Sequence, residues 1–163
     1  RYFNPISSHN SGLIGEDPKG IPQNIFPTIL NSVINDKKIF IYGKNWPTRD
    51  GTCIRDYIHI EDLAEGHIKA LEKQLIWEPG FFCFNLGSGK GTSVIELIKM
   101  FEETNNIQIK YEFRPRRDGD TAILVADNSY ALSKLNWKPT RSLYEMCKDG
   151  YKWIMLNPNG YDD

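Results

Sequence analysis

The chain has 163 residues, 40% of them hydrophobic and 25% charged, the balance of one globular domain or two small lobes. Twenty Lys+Arg against twenty-one Asp+Glu leave a net charge of -1, which gives no electrostatic footprint for nucleic acid or an anionic membrane. The densest apolar run, Phe81-Phe82-Cys83-Phe84, is strand-sized, and three scattered cysteines (Cys53, Cys83 and Cys147) make no disulfide scaffold and fit a reducing, cytoplasmic setting.

In chain order, Arg1 to Asn4 reads as a strand end in the middle of a longer protein, running into an Asn/Ser/Gly/Pro-rich loop over residues 4–22. Pro22 and Pro27 fit a helix opening, and Phe26, Ile29, Leu30 and Val33 keep helical spacing to about Asp36. Ile39 to Tyr42 is a short strand stopped by Gly43, and a polar loop from Lys44 to Thr52 leads into a second strand, Ile54 to Ile60. From Glu61 to about Leu75 a helix places Leu63, Ala64, Ile68, Leu71 and Leu75 on one apolar face, and Phe81 to Leu86 reads as a buried strand. Gly87, Gly89 and Gly91 turn the chain into a helix whose start carries a capping box, Ser93 with Glu96. Ile107 to Phe113 alternates as a half-buried strand, a basic loop (Arg114-Pro115-Arg116-Arg117) follows, and a short helix lies near residues 128–135. The last helix starts at Ser142, with Glu145 completing a second box, and packs Leu143, Met146, Trp153 and Ile154. Strands alternating with helices make the class α/β.

The turn Gly87-Ser88-Gly89-Lys90-Gly91 sits where a phosphate loop would sit but misses both spacings: Phe84 replaces the first Walker glycine, and Thr92 the third glycine of a dinucleotide fingerprint. A plain tight turn is the better reading. The cluster Gly12, Gly15 and Gly20 follows no strand and has Pro18 at the third fingerprint position. Tyr-x-x-x-Lys, in which a lysine lowers the tyrosine pKa for proton transfer, occurs at Tyr130/Lys134 and Tyr144/Lys148. Eight tyrosines and thirteen lysines yield about 0.6 such matches by chance, so both pairs read as solvated helix faces. His9, His59 and His67 have no partners at metal-ligand spacing. Arg55, Arg116 and Arg117, beside loop acids, are the types that grip phosphate oxygens with paired donors.

Six stretches in order, Arg1-Tyr2-Phe3-Asn4-Pro5, Gly15-Glu16-Asp17-Pro18, Ile21-Pro22-Gln23-Asn24, Asp50-Gly51-Thr52-Cys53-Ile54-Arg55-Asp56-Tyr57-Ile58-His59, Asn85-Leu86-Gly87-Ser88-Gly89 and Arg116-Arg117-Asp118-Gly119-Asp120, together resemble the UDP-glucose (UDP-galactose) 4-epimerase family of extended short-chain dehydrogenases. The resemblance runs on to Asn157-Pro158-Asn159-Gly160-Tyr161 and covers the C-terminal half of the family's chain. It implies a two-domain NAD(P)-Rossmann enzyme, represented here mostly by its small mixed α/β substrate lobe. Residues 1–8 and 56–88 would be late Rossmann elements, and residues 9–55 and 89–163 the UDP-sugar lobe. The N-terminal NAD-binding part, with the glycine loop and the catalytic Tyr-x-x-x-Lys, would lie upstream, leaving this chain with no catalytic residue and no metal.

The implied reaction oxidises the sugar C4 hydroxyl with bound NAD and returns hydride to the opposite face. Residue by residue, Phe3 resembles the position beside the nicotinamide and Asn4 the one touching the sugar or its phosphate. Asn24 with Ile25 resembles the pair steadying the diphosphate, and Phe40, Ile41 and Tyr42 the strand whose backbone reads uracil. Arg55 and Arg117 resemble diphosphate clamps, Asp120 a ribose hydroxyl acceptor, and Leu124 the residue whose size bears on N-acetylated sugars. The implied partners are a UDP-sugar, the N-terminal half of the same chain, and a second copy in a full-length homodimer. Other members of the wider class, a dehydratase or uronate epimerase, and a regulator that kept the fold without the reaction, are the rival readings.

Overall fold

A computed structural model describes residues 1–161. In chain order its elements are β1 (Asn4–Ile6), α1 (Ile25–Asn35), β2 (Ile39–Tyr42), β3 (Ile54–His59), α2 (Ile60–Gln74), β4 (Gly91–Ser93), α3 (Val94–Asn105), β5 (Tyr111–Arg114), β6 (Ile123–Leu124), α4 (Ser129–Leu135) and α5 (Leu143–Leu156). This is the expected mixed α/β architecture with parallel pairings.

β3 organises the larger sheet. Its second half pairs in parallel with β1, Asn4↔Tyr57 through Ile6↔His59. Its first half lies between antiparallel β4 (Ile54↔Ser93) and parallel β6 (Ile54↔Ile123). β2 and β5 form a separate two-stranded parallel sheet, Ile39↔Tyr111 to Tyr42↔Arg114. Side chains alternate along a strand, so Tyr57 joins one core with Phe26, Ile29, Ile41, Phe101 and Trp153 while Ile58 joins another with Leu63, Leu86, Leu135 and Trp137. A strand buried on both faces cannot slip register without exposing one of them.

Both capping boxes form: the Ser93 and Ser142 hydroxyls accept from the Glu96 and Glu145 N–H groups, and each glutamate reaches back to its cap. Asp36, Asn106 and Asn136 end α1, α3 and α4 in the left-handed conformation, one that Asn and Asp tolerate better than most residues.

Four expectations need correction. Residues 4–6 leave the expected loop and become β1, because they lie along β3. Phe81 to Leu86 forms no buried strand: it meets its neighbour at one bridge, Tyr2↔Leu86, and Phe81 is 93% exposed. The strand expected over 107–113 is Tyr111–Arg114, since β2 offers its first partner at Ile39, and Arg114 therefore belongs to the sheet. Finally, α2 turns Asp62, Leu63 and Gly66 inward, with Gly66 packed against Leu86 and Trp137. Of the expected apolar face, Leu63 is buried, whereas Ala64, Ile68, Leu71 and Leu75 stay exposed.

Two buried polar groups fasten this frame. The fully buried Asp56 carboxylate accepts from Ser88 N–H (2.7 Å), Ser88 Oγ (2.6 Å), Gly89 N–H (2.9 Å) and Ala126 N–H (3.1 Å). The glycine turn thus spends its donors on an internal carboxylate, as the plain-turn reading expects. His59, also fully buried, caps α2: its Nδ1 accepts from Glu61 N–H at 3.1 Å, so Nε2 carries the proton toward Ser7 Oγ at 3.1 Å. Burial lowers the His59 pKa, with Arg141 acting the same way and Glu61, Asp149 and Asp62 opposing.

Orphaning a buried donor costs about 1–3 kcal/mol, and Asp56→Ala orphans several, so we predict a loss of about 3 kcal/mol or more, read from the urea midpoint at unchanged m-value. For His59, the unfolded chain takes up a proton below its ordinary pKa of 6.5 while the native ring resists it. This contribution to stability is therefore intact above pH 6.5 and falls as the pH drops below it. Comparing pH-dependent unfolding of wild type and His59→Gln checks this: the variant should lose that part of the slope.

Candidate substrate-binding site

A cavity of about 690 Å³ opens between the N-terminus of α1, strand β2, strand β3 and the loop after β5. Asn4, Asn24, Ile25, Phe40, Ile41, Tyr42, Arg55, Arg117 and Asp120 all line it. Nine of the eleven expected site residues therefore meet around one space, although they come from segments more than a hundred residues apart in sequence.

Each is placed for a local reason. Asn24 is the N-cap of α1 in an extended conformation, and its side chain makes no capping hydrogen bond. The first-turn N–H groups of a helix have no intrahelical acceptors, and the helix dipole favours an anion there. In β2, Ile39 N–H donates to Lys110 O and Gly43 N–H to Arg114 O, both at β5. The parallel ladder alternates, so Ile41 also gives its main chain to β5, while Phe40 and Tyr42 turn theirs toward the open edge. Ile41 therefore contributes its place in the wall, with its backbone already engaged. The Tyr42 carbonyl accepts from Trp46 Nε1 at 3.3 Å, and the Tyr42 N–H and both Phe40 main-chain groups remain on that edge.

Arg55 extends from β3 with its side chain 15% exposed. Its Nη1 donates to Ile54 O (3.0 Å) and Thr121 O (2.8 Å), and its Nη2 to Asp120 Oδ1 (3.3 Å). Three of five guanidinium hydrogens are spent, so two remain for a ligand. Asp120, expected to face a ribose hydroxyl, is paired with Arg55. The Arg117 guanidinium lies 3.7 Å from the centre of the Tyr42 ring, a cation–π contact. Arg116, beside it, stacks on Trp46 and hydrogen-bonds Asn45, bracing the loop. The lining carries Lys37, Lys38, Arg55 and Arg117 against one acid, Asp120, a field suited to an anion.

The Asp50-Gly51-Thr52 motif works behind the wall. Asp50 accepts from Thr52 N–H (2.9 Å), Thr52 Oγ1 (2.7 Å) and Ser93 Oγ, which joins the loop before β3 to the cap of α3. Burial pushes its pKa up, but those hydrogen bonds and Arg49 outweigh it and hold it below the ordinary carboxylate range.

A second cavity, about 560 Å³, shares Asn4, Asn24, Ile25 and Tyr57 with the first. Phe3 lines it together with Ile14, Ile60 and Ala64, so its walls are largely apolar. Leu124 lines neither cavity: it sits on β6 opposite Arg55, 49% exposed. Tyr130 and Tyr144 of the Tyr-x-x-x-Lys pairs are 44% and 50% exposed and line neither cavity. No cluster of His, Cys, Asp and Glu able to hold a metal occurs among the described residues.

The sequence reading missed several wall residues. Cys53 and Tyr57 flank Arg55 at two-residue spacing, so strand alternation alone puts all three on one face. Thr28 and Asn31 follow Asn24 at helical spacing along α1. Burial raises the Cys53 thiol above its ordinary pKa, making it a neutral part of the wall, and does the same for the Tyr57 phenol.

The sequence model of the GDP-mannose 4,6 dehydratase family matches residues 1–150. A UDP-glucose 4-epimerase of Drosophila melanogaster is 48% identical over 163 residues, 99% of this chain and 47% of that protein. Among solved structures, the UDP-glucose 4-epimerase of Bifidobacterium longum in complex with NAD+ and UDP superposes with a TM-score of 0.94 at 44% identity, covering 99% of this chain and 48% of that one. The enzyme of Stenotrophomonas maltophila with bound NAD and formylated UDP-arabinopyranose gives 0.93 at 42% identity, covering 97% and 47%. The chain thus spans about half the length of the curated relatives it matches.

Proposed function

The chain belongs to the GDP-mannose 4,6 dehydratase family, and from that premise we propose that it supplies the UDP-sugar-binding part of a UDP-glucose 4-epimerase. The observation that carries this reading is the convergence of Asn4, Asn24, Ile25, Phe40, Tyr42, Arg55, Arg117 and Asp120 on one basic cavity, supported by similarity to epimerases over nearly the whole chain. The open edge of β2 offers the base a donor–acceptor pair, with Tyr42 as a stacking surface. The diphosphate sits at the α1 N-terminus beside Asn24, between the two free donors of Arg55 and the Arg117 guanidinium. Asn4 then meets the sugar where the two cavities join.

The second cavity fits the flat ring of a nicotinamide against Phe3, Ile60 and Ala64, whereas the Ser88 and Gly89 N–H groups of the glycine turn are already given to Asp56. NAD, when bound, supplies the hydride acceptor and donor for the sugar C4. The residues of this chain bind and orient the nucleotide sugar and exclude water from its reactive end. Proton transfer at the C4 oxygen falls to a half of the protein like the one its relatives carry in their remaining length. That half covers the exposed α2 stripe of Ala64, Ile68, Leu71 and Leu75. On this reading residues 1–8 and 56–88 belong with the dinucleotide-binding domain and residues 9–55 and 89–163 with the substrate lobe. β3 fits that division to within a residue, because its pairing changes between residues 56 and 57 from β4 and β6 to β1. The family resemblance alone carries the reading of the working protein as a cytoplasmic homodimer; separately, among the described residues no helix is long and apolar enough to cross a membrane.

Incubating the full-length protein with NAD and UDP-galactose should yield UDP-glucose by chromatography; a 4-keto-6-deoxy product would make it a dehydratase, and no product a non-catalytic relative. Arg55→Ala and Arg117→Ala should each weaken UDP-sugar binding by about 1.5–3 kcal/mol, the worth of a charge-assisted hydrogen bond, with NAD content unchanged. Calorimetry with UDP reads this directly. For Leu124, which lines neither cavity of this chain, the family resemblance alone supports a part in the sugar range: Leu124→Ala should raise, and Leu124→Tyr lower, the ratio of kcat/KM for UDP-N-acetylgalactosamine to that for UDP-galactose, and an unchanged ratio would remove it from the site. Overpacking costs about 1–3 kcal/mol, or about ten- to hundredfold in rate.

A further inference from the structure

Two sequence signatures have no part in the proposed binding scheme, Gly15-Glu16-Asp17-Pro18 and Asn157-Pro158-Asn159-Gly160-Tyr161, and they lie against one another. The Tyr161 hydroxyl accepts from Gly15 N–H at 2.9 Å and donates to Gly15 O at 3.0 Å. One phenol thus satisfies both main-chain groups of Gly15, as a neighbouring strand would. Tyr161 N–H donates to Asp17 Oδ2 at 3.2 Å, Asn157 Nδ2 to Gly12 O at 2.9 Å, and Trp153 Nε1 to Glu16 O at 3.3 Å. Lys152 Nζ reaches Asn10 O at 2.8 Å.

The glycines are required by this closeness. A β-carbon at Gly15 would strike the Trp153 indole, and one at Gly160 the Asp17 carboxylate. Trp153 is 1% exposed in the main core, and its ring lies 4.8 Å from that of Tyr161, so this segment is anchored to the core. The stretch it holds, residues 9–17, has two main-chain hydrogen bonds of its own, His9 N–H to Ile14 O and Gly12 N–H to His9 O. Its inner side, His9, Ile14, Gly15 and Glu16, is a wall of the second cavity, which Phe3 and Asn4 also line. None of residues 9–19 lines the first cavity.

We propose that Asn157–Tyr161 is a strap that fixes this wall at the sugar end of the site, with Tyr161 as a positioning residue for the sugar ring. The proposal rests on the epimerase reading above, which assigns the base and diphosphate to the first cavity and the reacting sugar to its junction with the second. A wall held by hydrogen bonds from a distant helix keeps the ring in its reactive orientation, and small misplacements there are costly in rate. Loosening the strap therefore harms turnover of the sugar and spares the grip on the nucleotide.

Tyr161→Phe in the full-length protein keeps the ring against Trp153 and removes the hydroxyl. The expected result is a tenfold or greater fall in kcat for UDP-galactose, with affinity for UDP alone within twofold of wild type. Amide hydrogen exchange at Gly15 should quicken at least tenfold while the β3 amides keep their protection. Asn157→Ala, which breaks the bond to Gly12, should give the same split between turnover and UDP affinity if Tyr161→Phe fails to fold. Unchanged turnover, a parallel fall in UDP affinity, or unchanged exchange at Gly15 would overturn the strap. A wild-type protein that binds UDP yet epimerises nothing would contradict the functional reading instead, and the exchange measurement would still decide the strap.

Discussion

Four donors converge on the Asp56 carboxylate from behind β3, while Cys53, Arg55 and Tyr57 look from the same strand into the cavity. That division of one strand into a structural face and a binding face is the constraint on which the site depends. Asp56 ties the turn at Ser88-Gly89 and the segment after β6 at Ala126 to β3, and β6 and the Asp120 loop are carried with them. Arg55 is then aimed by Ile54 O, Thr121 O and Asp120, groups whose positions follow from the same pairing. A partly buried guanidinium held by three acceptors loses little further freedom when it takes a ligand, which is how preorganisation adds to affinity.

The arginines at 114, 116 and 117 are held differently. Arg114, Arg116 and Arg117 each rest on an aromatic ring, those of Phe40, Trp46 and Tyr42. Stacking keeps the three cations apart and lays the basic loop along β2. Arg117 is the member that lines the cavity, and on the proposed reading its contact with Tyr42 couples the clamp for the diphosphate to the surface for the base. Binding of one part of a nucleotide therefore bears on the fit of the other.

Much of the fold was legible in the chain. The helices from Ser93 and Ser142 announced themselves by capping boxes, β2 by four β-rich residues before a glycine, and α1 by apolar spacing. What failed were inferences needing a partner out of local view. The apolar pattern of α2 proved real but largely outward-facing, because the burial side was chosen by Gly66 and Trp137 rather than by the longest stripe. The aromatic run at Phe81 has the composition of a strand and almost no ladder to join. For the site, arginine chemistry and family resemblance together named nine of the residues that line the first cavity, yet nothing in local spacing could bring Asn24 to Arg117. That closeness is a property of the topology. Alternation along β3 was available to find Tyr57, and the pairing of Gly15 with Tyr161 was invisible until the chain was folded.

The central claim is that a nucleotide diphosphate lies across β3, gripped by Arg55 and Arg117. The most direct test is a crystal structure of the full-length protein with UDP bound. The account predicts diphosphate oxygens within hydrogen-bonding distance of both guanidinium groups and of the α1 N-terminus, with the base along the open edge of β2 at Phe40 and Tyr42. Phosphates seated instead on the Gly87–Gly91 turn, or a nucleotide bound away from β2 and β3, would contradict it.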